Sequence, residues 1–538
     1  MGTMLPKTRP AGAIAPADRI VSIDPATLEV LGDARIATPA EVEAAVARAR
    51  AAQPSWAARS FRERGEVLRR ANEIILDETD AIADLISREN GKTVTTAMAS
   101  EVLPVVDLLA WLAASAEAAL AEEAIPIRHW ALLGRRSSMT YPPLGVAGVI
   151  SPWNFPLAIP MSAVAAALIA GNAVVLKPSE ITPLVGLKLG EIFRRAKLPD
   201  GLLEVVTGDG TTGAALAGSS VDKLFFTGST RTGKRIMETC AKRLTPCVLE
   251  LGGNAPMIVL EDANLETAVP GAAWGAFFNT GQVCASVQRL YLAEPLAERF
   301  TGRLVEEALK LRTGVGRGPG ACDLGALTSE MQLEVVESLV EDARRRGAKI
   351  LCGGRRPEGR AGFFYEPTVI ADLPRDARLW REEVFGPVVA VASFRDEDEA
   401  IRLANDTEYG LMASVWTRDI ARGERLARRI ASGTTVVNDH AMTYGIPELP
   451  WGGVKQSGFG RTHGKPGLLE FVEWRHVHVN ALPGVRAPWW FPERAATYHA
   501  LKAGAEALGR SAVARRVLGA LGLAKDVAMA MLEKNGAK

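Results

Sequence analysis

Cys284 is the residue best suited to covalent chemistry. It stands in Asn279-Thr280-Gly281-Gln282-Val283-Cys284-Ala285-Ser286, where polar residues and glycine precede it and a strand-like Arg289–Ala293 follows. A thiolate adds to a carbonyl and leaves again after acyl transfer, so an accessible cysteine of low pKa here suits a covalent intermediate. The competing reading is a small buried hydrophobe. Glu250, in Val248-Leu249-Glu250-Leu251-Gly252-Gly253-Asn254, is an acid inside an apolar run. Burial raises a carboxylate pKa and fits it for general-base work; anchoring of the glycine loop is the alternative. Asn154, in Ser151-Pro152-Trp153-Asn154-Phe155-Pro156, is hemmed in by prolines and aromatic rings. Its amide suits donation to a developing oxyanion or the closing of a turn.

Four further segments point to a ligand. Lys177-Pro178-Ser179-Glu180 directly follows an apolar strand, Ala173–Leu176, and strand C-termini are where open parallel sheets place ligands. Lys177 and Glu180 there suit nucleotide hydroxyls, or pair with each other at the surface. In Gly228-Ser229-Thr230-Arg231-Thr232-Gly233, Ser229 either caps a helix or donates to a phosphate. Gly228 permits close approach in this motif and Gly233 close packing. Gly208-Asp209-Gly210-Thr211-Thr212-Gly213 has the GxGxxG form, with Gly210 at its centre. No acidic residue about twenty positions on closes a following strand, so a turn before a helix explains it equally. In Glu382-Glu383-Val384-Phe385-Gly386-Pro387, Glu383 suits a ribose and Phe385 a planar ring; an ordinary turn is the alternative.

The elements that must position these residues read as α/β. Thr38-Pro39-Ala40-Glu41 is a capping box with proline in the first turn, and Val42, Ala45, Val46 and Ala49 give the helix behind it a buried face. Helical patterns follow near 59–76, 78–90 and 97–121, while residues 1–20 read as a loose arm. Strands are expected at Val146–Ile150, Ala173–Leu176, Leu203–Val206 and Lys223–Phe226, with helices near 159–170, 185–196 and 210–217 between them. Short apolar strands separated by helices are what a parallel sheet covered on both faces requires. A second alternation follows. Its helices lie near 265–278, 294–311, 328–346, 397–406 and 419–431, and its strands near 256–260, 288–293, 348–352, 364–369, 388–394, 413–416 and 433–438.

Composition narrows the class. The 538 residues carry 48% hydrophobic and 23% charged side chains with a net charge of +1, which excludes a largely disordered chain and gives no global attraction to nucleic acid. Five scattered cysteines form no zinc-like array, so a reducing cytoplasm is expected, with neither a metal site nor a disulfide framework. The N-terminus lacks the apolar core of a secretory signal. Pro156–Leu176 carries no charge, but its prolines and the Gly171-Asn172 break favour a buried helix and strand over a membrane span.

Seven segments together resemble the NAD(P)-dependent aldehyde dehydrogenase superfamily: PWNFP at 152–156, KPSE at 177–180, FTGSTRTG at 226–233, LELGG at 249–253, GQVC at 281–284, EEVFGPV at 382–388 and PWGGVKQSGFGR at 450–461. Their order and separations match over nearly all of residues 20–480. The resemblance implies a Rossmann-type cofactor domain, a second α/β catalytic domain and a small oligomerisation element. The boundaries it suggests are 1–125 for the helical start of the cofactor domain, 126–142 for an oligomerisation segment and 143–252 for the rest of the cofactor domain. The catalytic domain then takes 253–471, an oligomerisation strand 472–482 and a C-terminal extension 483–538.

By the same resemblance, Cys284 is the nucleophile, Asn154 an oxyanion donor with the cysteine amide, and Glu250 the activator of a deacylating water. Lys177 and Glu180 contact the adenosine ribose, with Ser179 beside them. Trp153 and Ser229 flank the pyrophosphate, where Gly228, Gly233 and Leu251 pack, and Glu383 and Phe385 position the nicotinamide end. Gly210 takes a peripheral place. Phe155, Ile159 and Ser162 line one side of an aldehyde tunnel, and Val283, Met442, Tyr444 and Trp451 another. This apolar set favours a medium, longer or aromatic aldehyde, oxidised to an acid. A semialdehyde remains open through Arg289, as does CoA resolving the thioester in place of water. His440 offers either a donor to a polar substrate or a structural hydrogen bond.

Segments 126–142 and 472–480 read as strands whose edges need a partner, so a homodimer or dimer of dimers is expected. From 486 to 538, nine Lys/Arg face four Asp/Glu. Trp489, Trp490 and Phe491 open this stretch, and Leu501, Ala505, Leu508, Val513, Val517, Leu518 and Leu521 give it an apolar stripe. Packing over a neighbouring subunit and peripheral membrane contact both suit it. The expected cofactor is NAD, with NADP left open: the Glu180 carboxylate accepts from ribose hydroxyls and repels a 2'-phosphate unless Lys177 turns towards it. Glu180→Gln is therefore expected to lower the preference for NAD over NADP; an unchanged ratio of kcat/KM for the two cofactors contradicts that role.

Overall fold

The computed structural model describes residues 18–127, 134–484, 487, 490–493, 495–510, 513 and 517. The chain forms two compact units, Met1–Ala119 with Pro143–Phe471, and Leu120–Pro142 with Val472–Lys538.

Within the first unit, a six-stranded sheet runs in the order Gly458–Phe459, Cys247–Glu250, Lys223–Thr227, Val146–Ile150, Ala173–Lys177, Leu203–Val205. All its pairings are parallel except that of Gly458–Phe459 with Cys247–Glu250. This is the expected Rossmann-like sheet. Its first strand lies in the middle, so the chain leaves it in one direction through 173–205 and in the other through 223–250. The helices Pro39–Ala57 and Ala158–Ile169 pack on its strands. Every residue of Ala158–Ile169 is buried, and Gly171 turns the chain with φ 99° into Ala173–Lys177. The uncharged stretch there is a core helix and strand, as its glycine break suggests.

The second sheet of this unit has seven strands, Lys349–Cys352, Thr368–Ala371, Val388–Phe394, Val287–Ala293, Ala255–Val259, Met412–Trp416 and Thr434–Val437, in that order. Only the pairing of the first two is antiparallel. Its core is continuous apolar packing that includes Phe277, Phe300, Tyr365 and Trp380.

Four local expectations need correction. Residues 18–20 are not a loose arm: Arg19–Ile23 pairs antiparallel with Val30–Arg35. Residues 1–17 lie outside the described residues. The strand expected at 364–369 starts at Thr368; Phe364 and Tyr365 are buried in irregular chain. The backbone there is satisfied elsewhere, Leu327 N–H donating to Phe363 O and Glu366 N–H to Arg355 O. Cys247–Glu250 is a strand that apolar patterning alone did not single out.

The fourth correction concerns the helix read as 97–121, which is Val94–Ala97, a π-helical turn at Met98–Val102, and Leu103–Ala119. A π-turn admits an extra residue into the helix, and the Glu101 it carries is fully buried. Val94–Ala119 is the one run among the described residues long and apolar enough to cross a membrane, by length and composition only. Here it packs against Phe61–Asp77 and buries Val105, Leu108, Leu109 and Leu112.

In the second unit, Arg475–Asn480, Arg135–Thr140 and Glu123–Ile125 form a three-stranded antiparallel sheet. A helix spans Ala495–Arg510. Trp490, Phe491, Tyr498, Leu501, Val513 and Val517 are exposed. Trp489, Leu518, Leu521 and the side chain of Leu508 lie outside the described residues.

The two sheets of the first unit are joined by one short crossing, Leu251–Asn254, between Cys247–Glu250 and Ala255–Val259. It is pinned by Leu251 N–H donating to Ser457 O at 3.1 Å and by the Ser457 hydroxyl donating to Gly252 O at 2.7 Å. A Cβ on Gly253 would sit 2.1 Å from the carbonyl oxygen of Cys284. Backbone cannot yield there as a flexible side chain would. Gly253→Ala is expected to destabilise the protein by about 1–3 kcal/mol through overpacking, read as a lower midpoint in denaturant titration; unchanged stability would show that the loops can part.

Candidate active site

In the six-stranded sheet the switch in chain direction falls between Val146–Ile150 and Lys223–Thr227. Open α/β sheets bind ligands outside the strand C-termini at such a point. Four of the singled-out motifs leave those ends: Ser151–Asn154, Lys177–Glu180, Gly228–Ser229 and Glu250–Gly252. The seven-stranded sheet turns its strand N-termini to the same place. Gly253–Asn254, Gln282–Ser286 and Glu383–Pro387 enter there, ahead of Ala255–Val259, Val287–Ala293 and Val388–Phe394. A cavity of about 840 Å³ lies between them.

Trp153, Asn154, Ile159, Lys177, Ser179, Glu180, Gly210, Gly228, Ser229, Glu250, Leu251, Cys284, Glu383 and Phe385 all line this cavity. Arg231, Arg235, Ile236, Thr211, Ala214 and Gln332 also line it and were not singled out from sequence. Gly233 does not reach the cavity surface. It is buried against Leu251, whose Cδ2 would lie 2.6 Å from an added Cβ, so it serves close packing. Among the residues read as tunnel-lining, only Ile159 faces the cavity. Tyr444 instead lines a small separate void with Pro104, Val105, Leu108, Ala158 and His463. Trp451 packs edge-on against Tyr444 at 5.4 Å, and the Ser162 hydroxyl is hydrogen-bonded to both Ile159 O and the Tyr444 side chain. Phe155 and Val283 are buried, and Met442 is exposed.

At one end, the Lys177 ammonium, itself buried, donates to the half-exposed Glu180 carboxylate at 2.9 Å. Both readings of Ser229 are compatible, since its hydroxyl accepts from Thr232 N–H at 3.3 Å as N-cap of Thr230–Ala241 while that helix start faces the cavity. The positive end of a helix favours an anionic group. Asp209 caps Gly210–Gly218 in the same way. At the other end, the Phe385 ring meets Trp153 edge-on at 5.3 Å. Gln332 donates to Val384 O and Phe385 O, both at 3.1 Å, and so holds the loop that carries Glu383.

The reactive groups line the same cavity. Glu383 accepts from Gly253 N–H at 2.9 Å, and burial pushes its carboxyl up to about 8. Glu250 is buried, and neither of its oxygens has a hydrogen-bond partner. Burial raises it well above the ordinary carboxylate range; the field of Arg461 opposes this and that of Glu470 adds to it. Cys284 is partly accessible. Burial, then the negative charges of Glu383 and Glu250, push its thiol up, against the backbone N–H groups of Cys284 and Ala285 that favour the thiolate. A nucleophile, an unpartnered carboxylate and directed N–H groups can together add to a carbonyl and then activate water.

The loop ahead of Cys284 is strained. Asn279, Thr280 and Gly281 take φ of 52°, 56° and 71° in succession, a left-handed run unusual for two non-glycine residues. Side chains fix it: Gln282 Oε1 accepts from Thr328 N–H at 2.9 Å, and Thr280 donates to Gly325 O at 3.2 Å. Asn154 Nδ2 donates to Gln282 O at 3.1 Å, which ties the two loops together.

Two residues left open by the sequence are structural. His440 donates from Nε2 to Ala285 O at 2.6 Å and accepts at Nδ1 from the Ser414 hydroxyl at 3.0 Å, so no ring nitrogen is left for a substrate. Arg289 is buried and donates to Asn254 O, Leu403 O and Ala404 O, turned away from the cavity. Asn279 and Gln282 hold these loops through their side chains, a part that pattern reading did not give them, and it did not single out the buried Lys92 and Glu101. Lys92 follows Gly91, which ends Thr79–Asn90, and a lysine at a helix end ordinarily reads as solvated.

Over residues 14–477 the sequence matches the Aldehyde dehydrogenase family. It is 39% identical over 483 residues to 4,4'-diapolycopene aldehyde oxidase from Methylomonas sp, covering 90% of each chain. It is also 39% identical over 483 residues to the chloroplastic betaine aldehyde dehydrogenase of Amaranthus hypochondriacus, covering 88% of this chain and 95% of the relative. The crystal structure of a Mycobacterium tuberculosis aldehyde dehydrogenase complexed with NAD+ superposes with a TM-score of 0.82 at 35% identity, covering 86% of this chain and 95% of that one. The chain therefore belongs to the NAD(P)-dependent aldehyde dehydrogenase family.

Proposed function

We propose that this protein oxidises a hydrophobic aldehyde to its carboxylic acid with NAD, using Cys284 as nucleophile, Asn154 as oxyanion donor and Glu250 as general base. The observation that carries the reading is the buried, unpartnered Glu250 carboxylate lining one cavity with Cys284 and Asn154.

The residues present fit an extended dinucleotide. The cavity runs from the Lys177–Glu180 pair past the capped start of Thr230–Ala241 to Glu383 and Phe385. Gly228, on the cavity wall, packs so closely that a Cβ there would meet the Phe226 ring at 2.6 Å. Lys177 and Glu180 would hold the adenosine ribose, Ser229 and Trp153 the pyrophosphate, and Glu383 and Phe385 the nicotinamide end. Bound there, NAD supplies the hydride acceptor that takes the substrate from aldehyde to acyl oxidation level.

Cys284, having lost its proton to water, adds as the thiolate to the carbonyl carbon, and the Asn154 amide with the Cys284 backbone N–H donates to the oxygen that becomes negative. Oxidation leaves the acyl group on sulfur as a thioester. Glu250 then takes a proton from water, whose oxygen adds to the thioester carbon; the C–S bond breaks and the acid departs. A carboxylate raised towards neutrality is the stronger base for that task. Glu250 also favours water over CoA as the resolving nucleophile.

Ile159, the one tunnel residue that faces the cavity, supports an apolar substrate of medium or longer chain or with an aromatic ring. The inward lock of Arg289 takes out of reach the one cation through which the sequence left a charged semialdehyde open. The Methylomonas relative named for a diapolycopene aldehyde agrees with an apolar substrate. The three-stranded sheet suits a homodimer or dimer of dimers, and the segment beyond 483 suits packing on a neighbouring subunit.

An NAD-coupled panel of short, aromatic, charged and long-chain aldehydes with product identification tests this reading. Free acid is expected, from apolar aldehydes foremost; acyl-CoA formed only when CoA is added would overturn the hydrolytic role. Cys284→Ala is expected to abolish turnover. Glu250→Gln is expected to lower kcat by about 10²–10⁴-fold, with an acyl-enzyme accumulating in mass spectra. Because the carboxylate must be ionised to act and its pKa is raised, kcat should climb with pH beyond the range of an ordinary glutamate, and Glu250→Gln should flatten that climb.

The thiol gives a separate check. Removing the Glu383 charge takes away one negative neighbour, so the thiolate is favoured and the Cys284 pKa falls. Glu383→Gln is therefore expected to speed alkylation of Cys284 by iodoacetamide several-fold in the cofactor-free protein at about pH 9, above the Glu383 pKa of about 8, where that carboxylate is ionised. A slower reaction would show that its contact with Gly253, not its charge, governs the sulfur.

A further inference from the structure

We propose that the buried pair Lys92–Glu101 positions the oxyanion-donating amide of Asn154, an inference that rests on the role given to Asn154 above. Both side chains are fully buried, and Lys92 Nζ lies 2.7 Å from Glu101 Oε1. The same ammonium donates to the backbone oxygen of Asn154 at 2.8 Å and stands 4.3 Å over the centre of the Phe155 ring. The second oxygen of Glu101 accepts from Leu157 N–H at 2.8 Å and Ala158 N–H at 2.9 Å. Those amides open the helix Ala158–Ile169, which has no side-chain cap of its own. One ion pair thus grips the chain at the Asn154 carbonyl and again at the start of the helix that follows.

The remaining contacts converge on the same peptide. Asn279 Nδ2 is a second donor to Asn154 O at 3.2 Å, and Asn90 Nδ2 donates to Trp153 O at 2.8 Å. With two donors on one carbonyl, the plane of the Asn154–Phe155 peptide is fixed, and the direction of the Asn154 side chain follows. Its amide is then held by Gln282 O, two residues from Cys284. A solely structural need at this place would be met at lower cost by apolar side chains, because desolvating two ions costs several kcal/mol. What apolar side chains cannot do is hold a carbonyl oxygen in a set direction. Glu101 reaches the pair because it sits on the π-helical turn at Met98–Val102, a distortion often found near functional sites.

The test compares Lys92→Met, Lys92→Arg, Glu101→Gln and Asn154→Ala with the unaltered protein, and adds the double variant Lys92→Met/Asn154→Ala. Misplacement of a reacting group by about 1 Å can cost about 100-fold, so Lys92→Met is expected to lower kcat about 10- to 100-fold. KM, the NAD dissociation constant from fluorescence titration and the alkylation rate of Cys284 should stay within about twofold, which general loosening of the site would not allow. The double variant should fall no further than Asn154→Ala alone, because Lys92 acts through that amide. Lys92→Arg, which keeps a charged donor, should recover part of the loss.

Multiplicative losses in the double variant would overturn the proposal, as would full kcat in Lys92→Met beside an impaired Asn154→Ala. Full activity in Asn154→Ala itself would instead bring down the oxyanion reading. Should Lys92→Met fail to fold, Glu101→Gln takes its place in the same comparison. Loss of folding in every Lys92 and Glu101 variant would assign the pair to the fold and overturn the positioning role.

Discussion

The active cavity depends on two sheets meeting at bare backbone. Leu251–Asn254 carries the chain from the end of one sheet to the start of the other, and Gly252 and Gly253 are the contact. A side-chain carbon on Gly252 would lie 2.3 Å from Glu383 Oε2, and one on Gly253 would lie 2.1 Å from Cys284 O. The loops bearing the nucleophile and Glu383 therefore rest directly on the strand end that carries Glu250. Ordinary side chains would spread these groups apart by several ångströms, beyond the reach of shared chemistry. Close packing here is the condition under which the three groups influence one another.

That closeness has an electrostatic cost, and the cost is useful. Two carboxylates and a thiol line one partly enclosed volume, so burial raises all three, and the two carboxylates further oppose ionisation of the thiol. Glu250 has no hydrogen-bonding partner to relieve it, and Arg461 offsets only part of the burial. A carboxylate in that condition is a strong proton acceptor, while the backbone N–H groups aimed at the sulfur work in the opposite sense on Cys284. Base and nucleophile are presented from two different sheets, and only the nucleophile has backbone N–H groups that offset part of its rise.

Much of this was legible in the sequence. The parallel strands and their helices follow from short apolar runs between capped helices, and Thr38 with Glu41 forms the capping box its spacing implies. The motifs at 152–154, 177–180, 228–229, 250, 284 and 383 gather around one cavity because each sits at a strand end, where patterning switches from apolar to polar or glycine. Tertiary context hid the rest. Lys92 and Glu101 pair with each other and with a loop distant in sequence, and no local periodicity marks a buried ion pair. The π-turn that presents Glu101 leaves the surrounding apolar pattern intact, so a single long helix was the natural reading. Tyr444, Ser162 and Trp451 form a cluster beside the cavity, not on its wall, because Ser162 spends its hydroxyl on Ile159 and Tyr444.

His440 sets a last condition. Its imidazole stands behind the nucleophile, one nitrogen donating to Ala285 and the other receiving Ser414, and burial drives its pKa down to about 4. Across the neutral range the ring stays uncharged and keeps the same tautomer. The hold on the residue that follows Cys284 is thus indifferent to acidity across that range.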